Sequence, residues 1–114
     1  MVTFFLSDCI FDYLGVILAF KTRVLFVLAH LEEGEITSYG ELARQAGNAR
    51  YARLVGQILK KLPSDTHLPW YRVVNSQHRI SFTEGTDAYA RQKVKLEQEG
   101  WIVVGQKLMQ KEAP

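Results

Sequence analysis

The stretch "ITSYGELARQAGNARYARLVGQILKKLP", Ile36 to Pro63, holds two short helical patterns joined by a turn. Thr37 or Ser38 can cap the first helix, and Glu41 stands three residues after Ser38, the spacing of a capping box. That helix is expected to stop at Gly47. In the second, Leu54, Val55, Ile58, Leu59 and Leu62 make an apolar stripe, with Arg53, Gln57, Lys60 and Lys61 largely off it. Pro63 closes it, because proline cannot continue a helical hydrogen-bond ladder. Two such helices joined through Gly47-Asn48-Ala49, the second one basic, form a helix-turn-helix.

Upstream, apolar residues recur at Phe20, Val24, Val27, Leu28 and Leu31, which is helical spacing, and Gly34 is placed to end that helix. The first residues, "MVTFFLSDCIFDYLGVILAF", are strongly apolar but interrupted by Asp8 and Asp12. The uninterrupted part is too short to span a bilayer, and no basic segment precedes it as a signal peptide requires. Residues 1–19 read as an extra helix or a loosely packed extension, ahead of a domain over 20–114. Cys9 within it reads as a buried or incidental thiol. Downstream, "RVVNSQHRIS" predicts a hairpin, with Val73-Val74 going out, Asn75-Ser76 turning and Arg79-Ile80-Ser81 returning. "EGTDAYARQKVKLEQEG" predicts an amphipathic helix ending at Gly100, and "WIVV" with "QKLM" a strand pair around Gly105. The expected fold class is mainly α with a small β hairpin, a winged-helix-like helix-turn-helix DNA-binding domain.

At 114 residues the chain has room for one domain and one modest core. A single cysteine excludes an intramolecular disulfide, and His30, His67 and His78 have no ligand spacing, so no metal or cofactor is expected. The net charge of +2 hides a concentration. Between Leu42 and Thr83 stand Arg44, Arg50, Arg53, Lys60, Lys61, Arg72 and Arg79, opposed only by Asp65. Such a run is either a footprint for a polyanion or a solvated basic face.

Three landmarks then stand together: Tyr39 in "TSYGELA", Arg53 in "YARLVG", and "PWYRVVNSQ" from Pro69. In this order and spacing they resemble the DNA-binding domain of the O6-alkylguanine-DNA alkyltransferases, over roughly Phe20 to Gly100. Where those enzymes carry a cysteine that accepts the alkyl group, Trp70 stands here. That replacement is similar to the one that defines the alkyltransferase-like proteins. Alkyl transfer needs a thiolate with a neighbouring base. Indole cannot supply the first, and Tyr71, in place of the enzymes' histidine, is a phenol that ordinarily titrates near pKa ~10. The resemblance therefore implies a protein that is not an enzyme.

It also implies roles for particular residues. Arg53 would fill the gap left when a damaged nucleotide is rotated out of the stack; by itself it reads first as a surface arginine in a helix salt bridge. Tyr39 would crowd the phosphate of that nucleotide, and is also readable as a half-buried core residue. Trp70 would wall the lesion pocket, or be a core tryptophan. Ala52 and Gly56 are small, as close approach to a duplex backbone demands, and Lys60 is a candidate phosphate contact. Arg72 either braces the site or contacts DNA. Tyr71, Val73, Asn75 and Ser76 complete the expected pocket, the last two doubling as turn residues. Glu99 would fix local structure. His78 stands where a glycine is usual in that turn, and Phe82, Thr83 and Glu84 where many relatives carry a basic residue.

What the resemblance implies is non-enzymatic recognition of O6-alkylguanine in duplex DNA. It works by minor-groove docking and nucleotide flipping, and marks the lesion for nucleotide excision repair proteins. A monomer is expected, cytoplasmic or nuclear, with no membrane partner. The alternative is a helix-turn-helix regulator without lesion specificity, whose second helix would read the major groove.

Overall fold

The computed structural model describes residues 5–110, with side chains from residue 15 onward. Cys9 lies outside the described side chains. Helix α1 spans Phe5–Ala29, so it runs unbroken across the boundary expected at residue 20. Phe20, Val24 and Leu28, four residues apart, are its buried stripe. The helix ends at Ala29 rather than at Gly34. The last two amides tighten, His30 and Leu31 bonding the carbonyls of Val27 and Leu28 at 3.1 Å, and the chain leaves through a turn closed by Glu32 and Glu35. Gly34 takes φ 83 within that turn, a left-handed conformation that glycine adopts without strain. Among the described residues no helix is long and apolar enough to cross a membrane.

The helix-turn-helix forms as the pattern predicts. A two-residue strand β1 (Thr37–Ser38) leads into α2 (Tyr39–Gln45), and Ser38 caps it, its hydroxyl accepting from the Glu41 amide at 3.0 Å. The reciprocal half of the capping box is not made. Glu41 turns outward to Arg44 and Gln45, and these bonds hold its carboxyl down at about 2. Gly47 at φ 121 breaks the chain direction. Asn48 then caps a 3-10 turn, Ala49–Tyr51, and α3 follows over Ala52–Lys60. Val55 and Ile58 of α3 are buried against Leu42 and Ala43 of α2, the Ala46 that follows it, and the α1 stripe.

The hairpin predicted over residues 73–81 is not formed. Val73–Val74 is strand β2, and it pairs in parallel with β1, Thr37 opposite Val73 and Ser38 opposite Val74. Both valines are buried, one on each face, so the strand is consumed by packing on two sides. Asn75 closes a tight turn instead: its side-chain oxygen accepts from the amides of Gln77 and Arg79 at 2.9 and 3.1 Å. His78 takes φ 64 there, a left-handed conformation that histidine tolerates better than most side chains. The returning segment runs beside the C-terminal hairpin, with Ile80 bonding the Gln106 carbonyl at 2.7 Å. That hairpin is the true one: β3 (Trp101–Val104) and β4 (Lys107–Gln110) are antiparallel, joined by Gly105-Gln106 with Gly105 at φ 60. Before it lies α4 (Asp87–Gln98), capped by Thr86.

Two apolar clusters result. One joins α1, α2, α3 and Val73; the other joins Val74, Ile80, Tyr89, Leu96, Trp101, Val103 and Leu108. The joint between them is polar. Glu99, the residue that ends α4, accepts from the Gly34 amide (3.0 Å) and the Tyr71 hydroxyl (3.0 Å). It also takes a two-nitrogen fork from Arg72, with the closest pair at 2.5 Å. Arg72 spends its remaining arm on the Leu31 carbonyl at 2.7 Å. Both partners are nearly buried, with side chains 12% and 9% exposed, so each offsets the cost of burying the other's charge. Burial pushes the Glu99 carboxyl up, but the bonds from Arg72, Gly34 and Tyr71 outweigh it and hold the pKa below the ordinary carboxylate value.

A lowered folded-state pKa stabilises the fold above the unfolded value, and the contribution is lost as pH falls through the folded one. Urea melts of the wild type should therefore weaken on acidification below pH 4.5, the ordinary carboxylate value. Glu99→Gln should be less stable at pH 7 by about 3 kcal/mol, because it strands a buried guanidinium. Its acid loss should also be smaller. An equal acid slope in both proteins would remove Glu99 as the coupling group.

Candidate nucleic-acid interface

A cavity of about 540 Å³ opens where α2, α3, α4 and the segment after Pro69 meet. This lies within the range of pockets that enclose small ligands, about 300–1,000 Å³. Of the residues singled out in the sequence, Tyr39, Ala52, Arg53, Gly56, Lys60, Trp70 and Val73 line it. Each arrives from a different local cause. Tyr39 is the first residue of α2, fixed by the Ser38 cap and by the β1–β2 pair, and its hydroxyl bonds the Ser81 hydroxyl at 2.9 Å. Arg53 lies in the first turn of α3, exposed, and Gly56 is one turn further on. A Cβ on Gly56 would stand 3.9 Å from the Tyr39 ring, so a side chain of any length there would intrude on the space beside that ring.

Trp70 opens a 3-10 turn, Trp70–Arg72, whose amide ladder starts from the Pro69 carbonyl. Its indole is half-buried and meets the Tyr71 ring edge-on, centroids 5.9 Å apart. The Arg91 guanidinium lies 5.6 Å from the indole centroid, a cation–π distance. Trp70 also borders a second groove of about 560 Å³, lined by Ser64 to His67 and by Arg91, Val94 and Lys95 of α4.

Four residues expected at the site fall outside the cavity lining. Arg72 is turned inward to Glu99 and Leu31, which leaves it bracing the site. Tyr71 packs on the second apolar cluster, and its hydroxyl donates a hydrogen bond to Glu99. Burial first, then that bond and the Glu99 charge, push its phenol above the ordinary value, so it stays protonated at neutral pH. Asn75 is occupied with its own turn, and Ser76 is exposed on it. The basic run divides in the same way. Arg44 is tied to Glu41 and Arg72 to Glu99, while Arg50, Arg53, Lys60, Lys61 and Arg79 are exposed.

The lining also holds Gln57, Leu59, Ser81, Phe82 and Gln92, which the sequence did not assign to the pocket. Phe82 adds an apolar ring to that wall. Gln92 had a legible signal: it falls between Tyr89 and Leu96 on the buried stripe of α4, where a polar side chain needs a reason. No group of three or more metal-ligating side chains comes together among the described residues. The arrangement can bind a flat, partly apolar group under an exposed arginine.

Known proteins resemble this chain in sequence and fold. The DNA-binding-domain model of 6-O-methylguanine DNA methyltransferase matches residues 19–101. The alkyltransferase-like protein 1 of Schizosaccharomyces pombe is 43% identical over 81 residues, covering 71% of this chain and 75% of that one. A DNA base-flipping protein of Vibrio parahaemolyticus is 46% identical over 81 residues, covering 71% and 79%. The crystal structure of the S. pombe protein with damaged DNA containing O6-carboxymethylguanine superposes with a TM-score of 0.69 at 41% identity. That match covers 75% of this chain and 79% of the other. The chain thus belongs to the family of the 6-O-methylguanine DNA methyltransferase DNA-binding domain, among its alkyltransferase-like members.

Proposed function

We propose that this protein recognises guanine alkylated at O6 in duplex DNA and does not react with it. Helix α3 enters the minor groove, the damaged nucleotide rotates into the 540 Å³ cavity, and Trp70 receives it as a wall. Arg53 enters the gap in the stack, where a planar guanidinium can both stack and donate to the orphaned base. Tyr39 meets the phosphate of the extruded nucleotide. The bent duplex then serves as the mark that nucleotide excision repair proteins read, and the protein acts as a monomer.

The observation that carries this reading is the setting of Trp70. Its indole is not sealed into the core but borders an open cavity whose lining includes Arg53 and Tyr39. The same setting argues against chemistry. Among the described residues no thiol stands at the cavity, and the neighbouring Tyr71 is a protonated phenol bound to a carboxylate rather than a base. The relatives add support, since one carries base flipping in its name and another was crystallised on alkylated DNA.

In a binding titration, a duplex with one O6-methylguanine should bind more tightly than its undamaged twin, and mass spectrometry should find no methyl adduct on the protein. Equal affinities would remove damage sensing. Arg53→Ala should weaken lesion binding by about 1–3 kcal/mol, the worth of one stacked or base-contacting side chain. Unchanged affinity would mean that another group fills the gap. Trp70→Cys should still fail to take up a methyl group, because Tyr71 offers its thiol no base; transfer by that variant would refute the argument from Tyr71.

A further inference from the structure

Outside the cavity, two cations are paired with each other. Arg79, in the segment that returns after the Asn75 turn, stands directly opposite Lys107, the first residue of β4, in an antiparallel bridge. The bonds on either side, from the Ile80 amide to the Gln106 carbonyl at 2.7 Å and from the Leu108 amide to the His78 carbonyl at 3.1 Å, straddle the two residues without joining them. That is the close kind of antiparallel pair, with Cα atoms about 4.5 Å apart and side chains nearest each other. Like charges set opposite in this way repel and destabilise the pairing. Both residues are exposed. Among the described residues the ion pairs join Arg44 to Glu41, Arg72 to Glu99 and Arg91 to Asp87, so no carboxylate neutralises either cation. Glu84 stands near Gly105 in the hairpin turn but forms no ion pair with Lys107.

The pair also has a direction. Burial alternates along Arg79, Ile80 and Ser81, with the isoleucine 1% exposed and its two neighbours in solvent. In extended chain such alternation puts residues two apart on one side. Arg79 therefore shares the side of Ser81, which lines the cavity and bonds the Tyr39 hydroxyl at 2.9 Å. Two residues of extended chain span about 7 Å, comparable to the step between neighbouring phosphates of one strand. Lys107 lies one strand further out.

We propose that Arg79 and Lys107 are a phosphate-binding pair, each holding one of two neighbouring backbone phosphates beside the nucleotide whose phosphate meets Tyr39. The inference rests on the lesion-binding reading for the place of that nucleotide, and it adds a site outside the helix-turn-helix. Phosphates set against the two cations replace their repulsion with attraction and release condensed counterions. The arginine offers a planar fork that fits two phosphate oxygens, and the lysine a compact point charge. Backbone contacts carry no information about the base. The pair thus adds affinity on any duplex and leaves discrimination to the cavity.

The test titrates the full chain with a fluorescent duplex holding one O6-methylguanine, and with its undamaged twin, over a series of salt concentrations. Arg79→Gln and Lys107→Gln should each weaken both duplexes about fivefold at physiological salt and make the slope of log affinity against log salt shallower by about 0.9, as expected for one lost phosphate contact. The ratio between the two duplexes should not change. Neither exchange should lower the thermal midpoint, since each removes one side of a repulsive pair. Methylphosphonate linkages, which carry no charge, locate the contacts when placed singly around the lesion. Two neighbouring positions should weaken the wild type and leave the double variant unaffected. Unchanged slopes in both variants overturn the proposal and leave this face to a protein partner. An equal change of slope in Lys21→Gln, the same charge removed from α1, also overturns it, because net charge rather than contact would then be acting. A wild type without lesion preference, whose slope still responds to both exchanges, removes the lesion-binding reading and keeps the phosphate pair. An intact preference with unresponsive slopes does the reverse.

Discussion

The carboxylate of Glu99 is the constraint on which the rest depends. It closes α4, receives the Arg72 fork and the Tyr71 hydroxyl, and binds the Gly34 amide in the loop that follows α1. Arg72 in turn holds the Leu31 carbonyl, and the Trp101 indole nitrogen donates to the Gly34 carbonyl at 3.2 Å. Three segments distant in sequence are pinned by one charged pair. A nearly buried ion pair contributes little net stability compared with an apolar contact of the same shape, but it has one geometry. What it supplies here is the orientation of the short turn that carries Trp70.

Pinning the turn from below accounts for the division of labour along it. Three adjacent residues, Trp70, Tyr71 and Arg72, point to three destinations: the cavity, the second apolar cluster and the buried carboxylate. A tight 3-10 turn achieves this because successive side chains leave it about a third of a circle apart. The indole is therefore held by its neighbours while part of its half-buried ring stays accessible. Arg91 is the added contact, a cation placed against the face of the indole.

Much of the fold was legible because its signals are local. The Ser38 cap, the break at Gly47, the stripe of Val55 and Ile58 and the helix ending before Gly100 each depend on a few neighbouring residues, and each formed as expected. The strands were legible only where the turn was explicit, at Gly105. "RVVNSQHRIS" has the composition of a hairpin, yet Val73-Val74 pairs with Thr37-Ser38, a partner 36 residues away that no local pattern announces. The site divided similarly. Arg53, Tyr39 and Trp70, whose types suit the proposed contact with a lesion, were placed together by the fold. Arg72, Tyr71, Asn75 and Ser76 were adjacent to them in sequence but not in space, since a turn sends neighbours apart. Gln92 and Phe82 reach the cavity from outside the motifs.

The strand of two valines carries one more consequence. Val73 belongs to one apolar cluster and Val74 to the other, although a single peptide bond joins them. Sliding the strand by one position would swap which valine faces which interior and carry Trp70 off its opening. The five residues from Trp70 to Val74 should thus admit changes of identity more readily than changes of number. Insertion or deletion there would be expected to disrupt both halves of the molecule at once.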